Sequence, residues 1–257
     1  MLTFAAANGT TLHYRDEGEG APIVFINSLG TDFRIWDDVA AALPGRHLRH
    51  DKRGHGLSAG VPVSMDDHVA DVAALMEGQG TGPAVICGLS VGGMIAQGLA
   101  ATRPDLVRAL ILCDTGHLIG TRELWDDRIA AVTEHGIEAI ADGILARWFS
   151  PTFRETRTIE LAGWRQMLTR TPQVGYLATS AAIRDSDFSE STRALRVPTL
   201  CVVGEHDGST PPDLVRELAG LIPGARFEVI AGAGHLPCIE QPAALAALIA
   251  DFLTTLD

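Results

Sequence analysis

Between the apolar run Pro83–Cys87 and the helix-forming run Met94–Ala101, the chain carries Gly88-Leu89-Ser90-Val91-Gly92-Gly93. A buried strand that turns at once into a helix through glycines constrains this fold more than any other feature of the chain. It puts the serine at the carboxyl edge of a sheet, with a helix directly behind it. The glycines have a mechanical reason. The turn strains the serine's backbone, and a side chain at Gly88 or Gly92 would meet neighbouring backbone. The helix N-terminus then brings its amide dipoles near the serine oxygen. An ordinary glycine-rich turn with a helix-capping serine is the alternative, and the rest of the chain decides between the two.

Around this turn the pattern alternates. Asn8-Gly9 separates two short runs that read as an antiparallel hairpin. Six more strand-like runs follow, at residues 22–28, 46–53, 83–90, 107–114, 197–204 and 226–230. Most are apolar enough to be covered on both faces. Helical patterns fall at Asp32–Leu43, Met65–Glu77, Val91–Thr102, Pro212–Leu221 and Pro242–Leu256. Strands alternating with helices predict an α/β fold with a mainly parallel, eight-stranded sheet and helices on both faces. From Thr115 to Thr192 the alternation stops, and three of the four tryptophans and many arginines gather without a strand. The expected division is a core at 1–114 and 193–257, with an inserted helical cap at 115–192.

With 257 residues the chain can bury one large core. Its formal net charge of −12 argues against nucleic acid or an anionic membrane as partner. A small molecule is the expected ligand, and an anionic one would need a local cation. The four cysteines form no C-x-x-C pair and read as reduced and structural. No basic leader precedes a long apolar stretch, and no apolar run approaches the ~18 residues of a membrane span, so a cytoplasmic location is the expectation.

A serine hydroxyl is a weak nucleophile until a base takes its proton, and histidine has the pKa for that task. Among nine histidines, His235 sits in the glycine-rich loop Ala231–His235, after the last strand and before the last helix. The acid that orients such a histidine should lie between the two in chain order, at a strand's carboxyl end. Asp207 fits, with Asp114 and Glu205 as competitors. The oxyanion formed in acyl transfer needs two donors. The N–H of Val91 and that of Leu29, in Asn27-Ser28-Leu29-Gly30, are the candidates. His55 reads as a structural loop residue. His47, His50 and His206 lack partners at metal-ligand spacing, so no metal site is expected.

These residues resemble the α/β-hydrolase superfamily over essentially the whole chain. Within it the sequence is similar to the 3-oxoadipate enol-lactonases, on the strength of Asn27-Ser28-Leu29-Gly30, Asp51-Lys52-Arg53-Gly54-His55-Gly56, Gly88–Met94, Ala182-Ile183-Arg184-Asp185 and Gly234-His235-Leu236-Pro237. Glu205-His206-Asp207-Gly208-Ser209 departs from the family's usual acid loop. The resemblance implies opening of a small carboxylated lactone through an acyl-enzyme on Ser90, without a cofactor. It also implies a cap pocket with Trp125, Arg128, Trp148 and Arg184 as substrate-binding candidates, and Arg147 and Arg165 as further cations for a substrate carboxylate. Competing readings are a general carboxylesterase or perhydrolase, a hydrolase of carbon–carbon bonds, and a ligand-binding receptor on the same fold.

Overall fold

The computed structural model describes residues 3–256. Its strands are β1 Thr3–Ala7, β2 Thr10–Glu17, β3 Pro22–Ile26, β4 Arg46–His50, β5 Ala84–Leu89, β6 Val107–Cys113, β7 Thr199–Gly204 and β8 Arg226–Ile230. They form one sheet in the order β1-β2-β4-β3-β5-β6-β7-β8. The β1–β2 hairpin turns through Asn8 and Gly9 at φ 45° and 73°, the positive pair that a two-residue hairpin turn demands. β2 runs antiparallel to β4, and every pairing from β4 to β8 is parallel. The central strands β5 and β7 are buried along their full length, as strands covered by helices on both sides must be.

The core helices are α1 Asp37–Ala42, α2 Met65–Gly78 and α3 Val91–Thr102. Between β6 and β7 lie α4 Arg122–His135, α5 Ala141–Trp148, α6 Pro151–Thr156, α7 Thr158–Thr169, α8 Gln173–Arg184 and α9 Ser189–Ala194, with no strand among them. The chain closes with α10 Pro212–Leu221, α11 Pro237–Glu240 and α12 Pro242–Leu253. In the helical segment α4 packs on α8, while α9 already packs on α3 and α10. Residue 193, where the core was expected to resume, therefore lies inside a helix that touches core helices.

Two elements differ from their sequence pattern. The helix expected over Asp32–Leu43 divides into a 3-10 turn, Phe33–Trp36, and α1. Asp32 caps that turn by accepting the Arg34 N–H at 3.0 Å, which favours the tighter winding. The strand expected over 46–53 ends at His50, because the Asp51 carboxylate accepts the N–H groups of Phe33 and Leu57 and draws the chain out of the sheet. Among the described residues no helix is long and apolar enough to cross a membrane.

Candidate active site

Ser90 joins β5 to α3 at φ 58°, ψ −121°, a backbone state that a residue with a side chain adopts only when its surroundings enforce it. They do so here. The Ser90 N–H donates to the Cys113 carbonyl at 3.0 Å, and the Ser90 carbonyl accepts from the Gly93 N–H at 2.8 Å and the Thr115 hydroxyl at 2.6 Å. A Cβ at Gly88 would lie 2.2 Å from the Gly92 carbonyl oxygen, and one at Gly92 2.2 Å from that of Ile26 at the end of β3. Neither position admits a side chain without moving backbone. Ser90 is 9% exposed and opens onto a small cavity that Ser28, Leu29 and His235 also line.

His235 follows β8. Its backbone N–H donates to the Trp148 carbonyl at 2.8 Å, and its Nδ1 faces both Asp207 oxygens, at 3.0 and 2.9 Å. The Asp207 carboxylate also accepts the N–H groups of Ser209 and Thr210 and the Thr210 hydroxyl, at 2.7, 3.0 and 2.6 Å. Burial pushes this carboxyl up, but the His235 ring and the Thr210 donors outweigh it and hold Asp207 below the usual carboxylate range. Neither competitor makes a hydrogen bond to His235 among the described residues. Glu205 is exposed and accepts the Gly232 N–H at 2.9 Å. Asp114 is fully buried at the end of β6 and accepts the Gly204 N–H at 2.8 Å.

Leu29 and Val91 both lie beside Ser90. Val91 begins α3, so its N–H has no carbonyl one turn back to bond. Among the described residues no acceptor faces the Leu29 N–H. Such a pair of free amides can receive an oxygen that gains negative charge.

The small cavity, about 90 Å³, is roofed by Trp125, Arg128, Ile144, Arg147, Trp148 and Tyr176. A far larger open groove, about 1280 Å³, lies between α7 and the Phe33–Trp36 turn beside β2 and contains none of Ser90, Asp207 and His235. Proximity to the serine outweighs size, so the small cavity is the candidate site. Arg128 lies 4.5 Å over the Trp125 ring, and burial lowers its guanidinium below the ordinary value. The Trp125 indole N–H donates to the Ile119 carbonyl at 2.6 Å, so the ring packs in one orientation. Arg184 is a correction to the sequence expectation: it pairs with Asp126 and Asp185 at 2.7 Å each and does not line the cavity. Arg165 likewise pairs outside the cavity, with Glu138 and Asp142.

Residues 23–248 match the model of the alpha/beta hydrolase family. The chain is an alpha/beta hydrolase. It is 29% identical to 3-oxoadipate enol-lactonase 2 of Acinetobacter baylyi over 93% of this chain and 91% of that protein. A non-heme haloperoxidase of Rhodococcus erythropolis is 30% identical, with 93% and 94% covered. Among solved structures, the enol-lactonase from Burkholderia xenovorans LB400 superposes with a TM-score of 0.95 at 38% identity, covering 98% of this chain and all of that one (100%). The family match and the enol-lactonase relatives support ester or lactone hydrolysis as the class of chemistry.

Two residues of this hydrolase's site carried no sequence signal. Thr210 donates to Asp207 and lies 3.2 Å from His235 Nδ1. Glu240, in α11, accepts the Gly234 N–H at 2.7 Å and the Ser150 hydroxyl at 2.6 Å, tying the histidine loop to the start of α6. His55 is buried and its imidazole is held well below its ordinary pKa by burial, consistent with a structural loop residue. Asp114, Asp207 and His235 place ligand atoms within 4.8 Å of one another, a spacing that could hold a metal ion. The His235 Nδ1 and both Asp207 oxygens are already engaged with each other and with Thr210, so a cation there would have to break those bonds.

Proposed function

We propose that this hydrolase opens the ester bond of a small lactone bearing a free carboxylate, with the enol-lactone of 3-oxoadipate as the substrate its similarity to enol-lactonases favours. One observation carries the reading. Arg128 and Arg147 line the same cavity as Ser90 and His235, and among the described residues no carboxylate pairs with either. A protein of net charge −12 that keeps two guanidinium groups without a counter-ion beside its serine has a site shaped for an anion.

In this reading the Ser90 Oγ bonds to the lactone carbonyl carbon as His235 takes its proton. The carbonyl oxygen becomes an oxyanion between the Leu29 and Val91 amides. Collapse breaks the ring C–O bond and leaves an acyl-enzyme, and the departing enolate takes the proton held by His235 and becomes a ketone, which leaves His235 neutral again. His235 then deprotonates a water that attacks the acyl carbon, releasing the free acid and restoring Ser90. Asp207, held ionised, keeps the His235 Nδ1–H in place and balances the imidazolium.

The test compares kcat/KM for the enol-lactone with that for p-nitrophenyl butyrate. The lactone should be preferred. Arg128→Gln and Arg147→Gln should each raise its KM by about tenfold or more, the scale of a charged hydrogen bond, and leave the aryl ester little changed. Preference for the aryl ester would defeat the substrate assignment and leave the serine chemistry standing. That outcome is the second reading, an esterase of neutral acids, favoured by the apolar wall of Trp125, Ile144, Trp148 and Ile183.

A further inference from the structure

Lys52 follows β4 and is 1% exposed. A lysine so buried is costly unless something requires its charge. Among the described residues no carboxylate forms an ion pair with its ammonium. Its one described hydrogen bond, at 2.7 Å, is to the carbonyl oxygen of Ser28. That oxygen also accepts the Thr31 N–H at 3.3 Å and the Thr31 hydroxyl at 2.8 Å. The carbonyl's lone pairs are thus served without the lysine, so satisfying the Ser28 oxygen does not explain it.

The Ser28 carbonyl and the Leu29 N–H belong to one planar amide. Electron density is shared across such a unit, and a cation held on its oxygen draws density from its nitrogen, making the N–H a stronger donor. That N–H faces no acceptor among the described residues, and both Ser28 and Leu29 line the cavity with Ser90. We infer that Lys52 is a positioning residue that sets the strength of the oxyanion hole, by fixing and polarising the Ser28–Leu29 peptide from the side away from the substrate. The inference rests on the serine-hydrolase reading of Ser90 and Leu29 given above.

The groups around Lys52 support a charge that matters near neutrality. Burial brings its ammonium down from the ordinary 10.5 to about 7, against the pull of the Asp51 and Asp32 carboxylates. From the other sides it meets His50, His55 and His68, whose imidazoles burial and Lys52 push down, His50 and His68 to about 3. These three are neutral at any pH where the enzyme would work. Asp51 is itself engaged by His13 at 2.7 Å and by two backbone N–H groups. The ammonium is therefore charged below about 7 and loses its proton above it, and the polarisation of the Leu29 amide goes with it.

Hydrolysis of p-nitrophenyl acetate, a probe independent of the natural substrate, tests this in the wild type, Lys52→Met, Lys52→Arg and Ser90→Ala on both sides of neutrality. Below neutral pH, Lys52→Met should lose about tenfold in kcat with KM nearly unchanged, a weakening rather than removal of one oxyanion donor. The wild-type rate should fall on the alkaline side with a midpoint near 7. That fall should vanish in Lys52→Met, and in Lys52→Arg it should vanish while the rate stays high. A merely structural lysine would change melting temperature or KM and leave the alkaline fall in place. Wild-type kcat and an unchanged alkaline fall in a folded Lys52→Met overturn the inference. If that variant does not fold, a wild-type rate that stays level above neutrality overturns it as well. Activity surviving in Ser90→Ala would defeat the reading of the site itself, a distinct result.

Discussion

Asp207 and Asp114 lie with His235 inside one 4.8 Å cluster, yet the protein treats the two carboxyls in opposite ways. Asp207 receives three donors besides the histidine and is held below the usual range. Asp114 accepts the Gly204 N–H, and burial, then the charge of Asp207, pushes it well above 3.8. We expect Asp207→Asn to lower kcat by about 10³- to 10⁴-fold, as loss of the orienting anion does in such triads. Asp114→Asn, which keeps the acceptor for Gly204, should retain most activity and melt higher at neutral pH. The sign follows from linkage. Folded Asp114 holds a proton that the unfolded chain releases above 3.8, so its contribution is most favourable below that pH and is lost as pH rises through the folded value. Rate assays and melts at acid and neutral pH check both, and the reverse pattern would exchange the two roles. Lys52 has a related effect. Between about 7 and 10.5 the unfolded chain binds a proton that the folded one does not, so the lysine lowers stability most below 7, where its charge would serve the amide.

Among the elements, the β5–α3 turn is the one whose tolerance is easiest to foresee. Gly92→Ala places a methyl group 2.2 Å from a backbone oxygen of β3, and backbone at the centre of a sheet does not yield. We expect a loss of at least about 1–3 kcal/mol, the scale of overpacking, together with loss of activity. Gly78→Ala, at the exposed end of α2 with nothing within 4 Å, should be neutral or stabilising by up to ~1 kcal/mol. Urea titration of both variants distinguishes an elbow built on close approach from a merely flexible turn. This turn was legible in the sequence because its requirements are local: a buried run, two glycines and a helix in direct succession. The strand-free segment after β6 was legible for a like reason. What sequence could not supply is the choice of partner across the fold. Arg128 and Arg184 look alike along the chain, but Arg184 is occupied by Asp126 and Asp185 and Arg128 is not. Glu240 gave no signal, because it serves Gly234 and Ser150, and the latter lies 90 residues away. The helix over Asp32–Leu43 divided because one capping side chain preferred the tighter turn.

At the scale of the whole molecule, a chain of formal net charge −12 holds a cavity edged by two guanidinium groups. An anionic substrate is repelled at distance and attracted only on arrival, and salt screens the long-range part first. We expect kcat/KM for the carboxylated lactone to rise with ionic strength while that for a neutral aryl ester stays flat. A fall for the lactone would mean that the cavity's own field governs the encounter. The sheet order has a different consequence. Leu29 follows β3, Ser90 follows β5, Asp207 follows β7 and His235 follows β8, and all four strands share one sheet only once β8 has joined it. β8 is an edge strand and, of the described strands, the last to be made. On the proposed reading a growing chain therefore carries its serine long before its base, and a fragment that ends before His235 should not turn over an ester.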